Sequence, residues 1–168
     1  MVHFEALLPI YPGEIMRFKV LLLCTSLLTP AAMAIPNVWS SGFGQGVAEH
    51  LIKNEQGDTF TLSCDVGYSE NGELTGVSFA LANGQDLSPA DNRKVELLID
   101  GNGYWLPEKL GWRNGDNAWA SFLEVITKAS AFDVYVDDKK VASFAPTPQS
   151  TKTVLGDLSD CVYRPAGM

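Results

Sequence analysis

Apolar and polar residues alternate along much of the chain. In "TFTLSCDV", Phe60, Leu62, Cys64 and Val66 fall on one face and Thr and Ser residues on the other. That period of two is the mark of a strand with one buried side. "GVSFAL" repeats it through Val77, Phe79 and Leu81, and "KVELLID" through Val95, Leu97 and Ile99. "VAEHLIK" is a further strand candidate. After Ile99, "DGNG" offers residues that tolerate a positive φ and "YWLP" returns as a partner, so residues 94–107 are predicted as a hairpin. The period then changes. Trp119, Phe122, Leu123 and Ile126 stand at i, i+3, i+4 and i+7, one stripe of a helix, with Asp116 or Asn117 available as its cap and "RNGDN" as the connection before it. "AFDVYVDDKKVASFAP" resumes alternation and turns at residues 137–140, a second hairpin. "APTPQST" (145–151) reads as a proline-stiffened connection. Val154, Leu155, Leu158 and Cys161 again follow helical spacing, with Ser150 or Thr151 as N-cap, which puts Cys161 on the apolar face of a last short helix. These elements predict one α+β domain, mainly antiparallel sheet and sandwich-like, with a central helix and a short C-terminal helix.

The pattern ahead of residue 35 is of another kind. Arg17 and Lys19 precede an apolar run over 20–28, and "AAMA" (31–34) ends on the small residues a signal peptidase reads. A membrane-spanning helix needs about 20 apolar residues, more than this run supplies. Residues 16–34 are therefore predicted as a signal peptide, cleaved after Ala34 to leave Ile35 first. Cys24 lies in the apolar run, but Leu23 stands where lipidation needs a small residue, so no lipid anchor is expected. Residues 1–15 have no place in such a signal. Codons for Gly13 and Glu14 can spell a purine-rich ribosome-binding pattern, which makes Met16 the expected start and 1–15 a mis-assigned leader. The domain then spans 35–168, in the periplasm or outside the cell.

That address changes the meaning of the cysteines. Cys64 and Cys161 remain after processing, and paired thiols in an oxidising compartment form disulfides. An internal bridge would close a long loop and tie the last helix to the sheet, stabilising by about 4–5 kcal/mol on the chain-entropy account. Free buried thiols or an intermolecular bond are the alternatives. Composition adds a sign: 20 acidic against 12 basic residues give a net charge of −8. Such a chain repels nucleic acid and anionic membrane, and admits a basic protein as partner.

Catalytic patterns find little support. His50 is the one histidine after residue 34, in a strand-like stretch, and reads as an ordinary sheet-surface side chain. No Gly-x-Ser-x-Gly elbow accompanies it. One histidine and two paired cysteines are not spaced to hold zinc, so no metal or other cofactor is expected. "DGNGYWLPE" opens like a calcium loop, but the loop's sixth and twelfth positions hold Trp105 and Gly111 instead of glycine and glutamate. "GFGQG" (42–46) leads into a strand, so it reads as a flexible entry to the sheet and not as a phosphate loop.

Aromatic density is the less ordinary feature. "YWLPEKLGWRNGDNAWASF" places Trp105, Trp112 and Trp119 at intervals of seven, with Lys109 and Arg113 among them. Trp119 belongs to the helical stripe and hence to the core. Trp112, in a Gly-rich connection, is the candidate partner contact, with Trp105 and Arg113 beside it. The stretch "AWASFLEVITKASAFDVYVDDKKVASFAPTPQSTKTVLGDLSDC", with its aromatic helix, hairpin and closing "L..LSDC", resembles the tail of invasion-associated locus B-like small exported proteins of Gram-negative bacteria. That resemblance implies a periplasmic β-rich domain without a catalytic constellation, and it carries over no functional residue. The expected function is an exported, non-enzymatic protein-binding domain, an envelope accessory or host-interaction factor. An inhibitor or immunity protein against a cell-wall hydrolase is the first alternative. A small hydrolase with carboxylates near Trp105 and Trp112 is the second.

Overall fold

A computed structural model describes residues 35–66 and 74–163. The expected leader, the signal peptide and Cys24 lie outside the described residues. Strands β1 (Ser40–Gly44), β2 (Val47–Lys53), β3 (Thr59–Asp65), β4 (Gly76–Ala80) and β5 (Asp86–Leu87) form one sheet in chain order, each antiparallel to the next. Strands β6 (Val95–Ile99), β7 (Asn102–Leu106), β8 (Phe132–Val136) and β9 (Lys139–Phe144) form a second antiparallel sheet in the order β7-β6-β8-β9. Helix α1 (Arg113–Ile126) links β7 to β8, and helix α2 (Pro148–Val154) follows β9. Single 3-10 turns stand at Pro89–Asp91 and Ser159–Cys161. The predicted α+β domain is what is observed.

Local chemistry explains the hairpins. The turns at Gln45–Gly46, Asp100–Gly101 and Asp137–Asp138 each hold two consecutive residues at positive φ. That geometry matches the right-handed twist of the flanking strands and favours Asp, Asn and Gly. Asp100 is fixed further by its carboxylate, which accepts from Ser130 Oγ at 2.7 Å and from the Ala131 N–H at 3.1 Å. Asp137 accepts from Arg93 Nε at 2.7 Å and from the Lys94 N–H at 3.2 Å.

The inward faces of the two sheets meet through aromatic rings. Phe60 of β3 stands edge-on to Phe79 at 5.2 Å, to Phe132 of β8 at 5.3 Å and to Trp39 at 5.8 Å. Phe132 stacks on Phe144 at 4.9 Å. Such pairs add about 0.5–1.5 kcal/mol each beyond their buried area. Trp39, 2 % exposed, joins this core from a segment with no periodic pattern around it. Asn54, 3 % exposed, bridges the sheets at their rim, donating to the Ser143 carbonyl and to Asp58.

Four expectations need correction. Val66 lies past the end of β3 and is exposed, because the inward-facing series stops at Cys64. Helix α1 begins at Arg113, so "RNGDN" is its first turn; Asp116 and Asn117 lie inside it. Trp112 is the N-cap residue and makes no side-chain capping bond, while Asp116 reaches back to accept the Gly111 N–H at 2.8 Å. At the C-terminus, Pro148 opens α2 within the expected connection, and Thr147 caps it; Ser150 and Thr151 are buried in its interior. Cys161 stands on the separate 3-10 turn after α2, since the spacing of Leu158 and Cys161 is satisfied equally by that tighter turn.

The bridge itself is present. Cys64 of β3 is bonded to Cys161, 97 residues away. Both cysteines are buried, and the Cys161 carbonyl accepts the indole N–H of buried Trp119 at 2.8 Å. The C-terminal turn is thus held to the first sheet by a covalent bond and to α1 by a hydrogen bond.

Candidate functional site

The residues from Trp105 to Arg113 form the most distinctive surface. Pairing within the β6–β7 hairpin sets Trp105 opposite Glu96, and alternation along β7 turns its ring outward while Tyr104 and Leu106 face inward. The chain then turns through Pro107–Gly111 into α1, whose N-cap is Trp112. The two indoles meet edge to face, with centroids 6.0 Å apart and planes at 71°. They remain 40 % and 42 % exposed, where every other tryptophan among the described residues is buried.

Backbone features of the loop position Trp112. Trp112 Nε1–H donates to the Lys109 carbonyl at 3.0 Å, closing the loop on itself. Gly115 leaves room beneath the ring: a Cβ there would run into the Trp112 indole and approach the Lys109 carbonyl at 3.0 Å. Gly111 adopts φ +90, and a side chain there would meet the Tyr163 hydroxyl. The Trp112 ring is therefore held by a backbone bond before any partner arrives, with Trp105 against its edge. Such pre-ordering lowers the entropy cost of a contact.

The same loop walls a cleft of about 610 Å³. Its opposite side comes from Ser63 of β3, Gly76 of β4 and the Ser88–Ala90 turn, and Tyr163 and Trp119 also contribute. Among the described lining residues Glu108 is the one carboxylate and Lys109 the one cation. The cleft and the aromatic pair thus share the Pro107–Gly111 segment. Sequence reasoning identified Trp105, Trp112 and Arg113; the structure brings the two rings into contact and leaves Arg113 exposed next to them. It did not find the cleft, whose walls come from segments remote in the chain. Nor did it find Phe43 of β1, 72 % exposed on an outer strand.

His50 also needs correction. It is half-buried and lies on the Ala48–His50–Ile52 face of β2, the face turned to the core. One ring nitrogen and both disulfide sulfurs lie within 4.8 Å of one another. Its Nδ1 is buried and has no hydrogen-bond partner among the described residues. Burial lowers the imidazole pKa below its usual value, against an opposing pull from the Asp160 charge. The signal was present in "VAEHLIK": the other face would carry both Glu49 and Lys53, so His50 must share the inward one.

Comparisons with known proteins agree with one another. The family described as YfjT matches residues 37–155. The "Uncharacterized protein YfjT" of Escherichia coli (strain K12) is 41% identical over 132 residues, covering 77% of this chain and 85% of the relative. The "Uncharacterized protein YkfB" of the same organism is 39% identical over 132 residues, with the same coverage. No solved structure matches.

Proposed function

This chain belongs to the YfjT family, and we propose that it works as an exported, non-enzymatic protein-binding domain that engages its partner through Trp105 and Trp112. The observation that supports this reading is the half-exposed indole pair at the two ends of the segment that also lines a cleft. Large exposed rings held by backbone contacts are the side chains that dominate binding energy in protein interfaces. Lys109 and Arg113 stand in the same stretch of chain as the rings, while the molecule as a whole carries −8. The partner's contact would therefore be apolar or aromatic at its centre, inside a field that favours a basic protein.

The experiment is a capture from envelope extract with the oxidised chain, compared with Trp112→Ala, Trp105→Ala and a distant control, Lys152→Ala. A protein retained by the parent and by the control but lost from both tryptophan variants supports the reading. A protein retained equally by all four places the contact elsewhere, and no retained protein removes the reading.

The net charge suits a basic partner, and a cell-wall hydrolase of the basic lysozyme type is the alternative reading it admits. Inhibition of such an enzyme in a cell-wall turbidity assay by the parent chain, with weaker inhibition by Trp112→Ala, would identify the domain as an inhibitor or immunity factor. Unchanged hydrolysis at saturating domain would exclude that narrower role and leave the binding reading in place.

A further inference from the structure

We propose that Cys64, Cys161 and His50 form a zinc site when the disulfide is reduced, so that the metal and the S–S bond are alternative occupants of the same three donors. The geometry carries this. The two sulfurs and one imidazole nitrogen lie within 4.8 Å of one another. Donors on a tetrahedral zinc ion stand about 3.5–4 Å apart, given Zn–S near 2.3 Å and Zn–N near 2.0 Å. The two sulfurs, now bonded to each other, must part to that spacing by rotation of the freed thiols, while the pairing of β2 with β3 keeps Cys64 opposite Ala48 and His50 opposite Leu62. The donor set, two thiolates and one imidazole, is one that zinc favours.

His50 gives the arrangement its second support. A buried ring nitrogen without a hydrogen-bond partner is costly, and native structures satisfy nearly all such groups. In the oxidised chain Nδ1 has no hydrogen-bond partner among the described residues. Beside two thiolates, a cation would satisfy the ring as a ligand. In the oxidised chain both sulfurs are committed to each other, so the site opens only after reduction. A dithiol supplies two electrons and two protons and is itself oxidised to a disulfide; zinc then displaces the two thiol protons. Metal bound in this way keeps the Ser159–Cys161 turn docked on β3 in place of the covalent bond, and it blocks reoxidation while it stays.

The test uses the full chain carrying Cys24→Ser, so that the thiols counted are Cys64 and Cys161. After reduction with a phosphine, Co²⁺ serves as the spectroscopic probe and Zn²⁺ is measured by competition with a chromophoric chelator. The expected result is one Co²⁺ per chain, with a near-ultraviolet sulfur-to-cobalt band that the oxidised chain and Cys161→Ser lack. His50→Gln should bind Zn²⁺ at least about tenfold more weakly, since loss of even an outer partner of a metal ligand costs that much. Zn²⁺ should raise the melting temperature of the reduced parent and leave that of the oxidised chain unchanged. Three results overturn the proposal: a folded, reduced parent that takes up no Co²⁺; equal Zn²⁺ affinity in His50→Gln; or metal uptake only after the far-ultraviolet strand signal is lost.

Discussion

At the scale of single residues, Gly115 decides the shape of the surface. Replacing glycine by alanine inside a helix normally stabilises by about 1 kcal/mol. Here the added methyl would collide with the Trp112 indole, and that ring cannot shift without breaking its bond to the Lys109 carbonyl. Gly115→Ala is therefore expected to lower the melting temperature and to shift tryptophan emission to the red, as Trp112 leaves Trp105. A blue shift or a more stable chain would show the ring relaxing inward. Asp100 supplies a second residue-scale prediction. Its pKa lies below the ordinary 3.8, chiefly through the Ser130 hydroxyl bond, with the Ser130 and Ala131 N–H groups assisting. A carboxylate whose pKa is depressed on folding stabilises above its unfolded pKa, and that stability is lost as pH falls through the folded value. Solvent screening keeps the contribution of so exposed a group small, so Asp100→Asn should melt slightly lower at neutral pH, and the difference from the parent should shrink below about pH 3.8. A difference that stays constant from pH 7 to pH 3 would mean the charge contributes nothing there.

At the scale of elements, the disulfide is the strongest single constraint on the fold. It joins β3 to a 3-10 turn across 97 residues, in a core where both cysteines are buried. Replacing both with serine should cost about 2–5 kcal/mol, seen as a lower denaturation midpoint in urea. A loss under about 1 kcal/mol would mean that the Trp119–Cys161 hydrogen bond and the packing of Leu155 and Leu158 hold the turn unaided. This is also the scale at which the sequence was most legible. Strands β3, β6 and β8 alternate without exception between buried and half-buried positions, so their faces follow from period alone. Strand β1 gave no such signal, because "SSGFG" is exposed throughout and owes its place to pairing with β2. The start of α1 was hidden for a different reason. Asn114, Gly115 and Asp116 are residues of turns by local preference, and only tertiary contacts make a helical turn of them. The aromatic pair was half legible. Spacing revealed the rings, but the approach of Trp105 to Trp112 depends on the six-residue path between them, for which no periodicity exists.

At the scale of the whole molecule, the proposed export and the disulfide would depend on one another. Among the described residues no helix is long and apolar enough to cross a membrane. The expected route to an oxidising compartment is the segment ending in "AAMA", so oxidation of Cys64 and Cys161 should accompany its removal. The prediction has three parts that stand or fall separately. Protein recovered from the periplasm or medium should begin at Ile35, by N-terminal sequencing. Its mass should be two hydrogens below that of the reduced chain. Met16→Leu should abolish synthesis of the exported form, whereas Met1→Leu should leave it unchanged. If Met1→Leu abolishes synthesis instead, residues 1–15 are a true part of the product and the start at Met16 is wrong. If the protein stays in the cytoplasm with Cys64 and Cys161 reduced, the exported binding domain is overturned. The three zinc donors would then be free in the compartment where the protein resides.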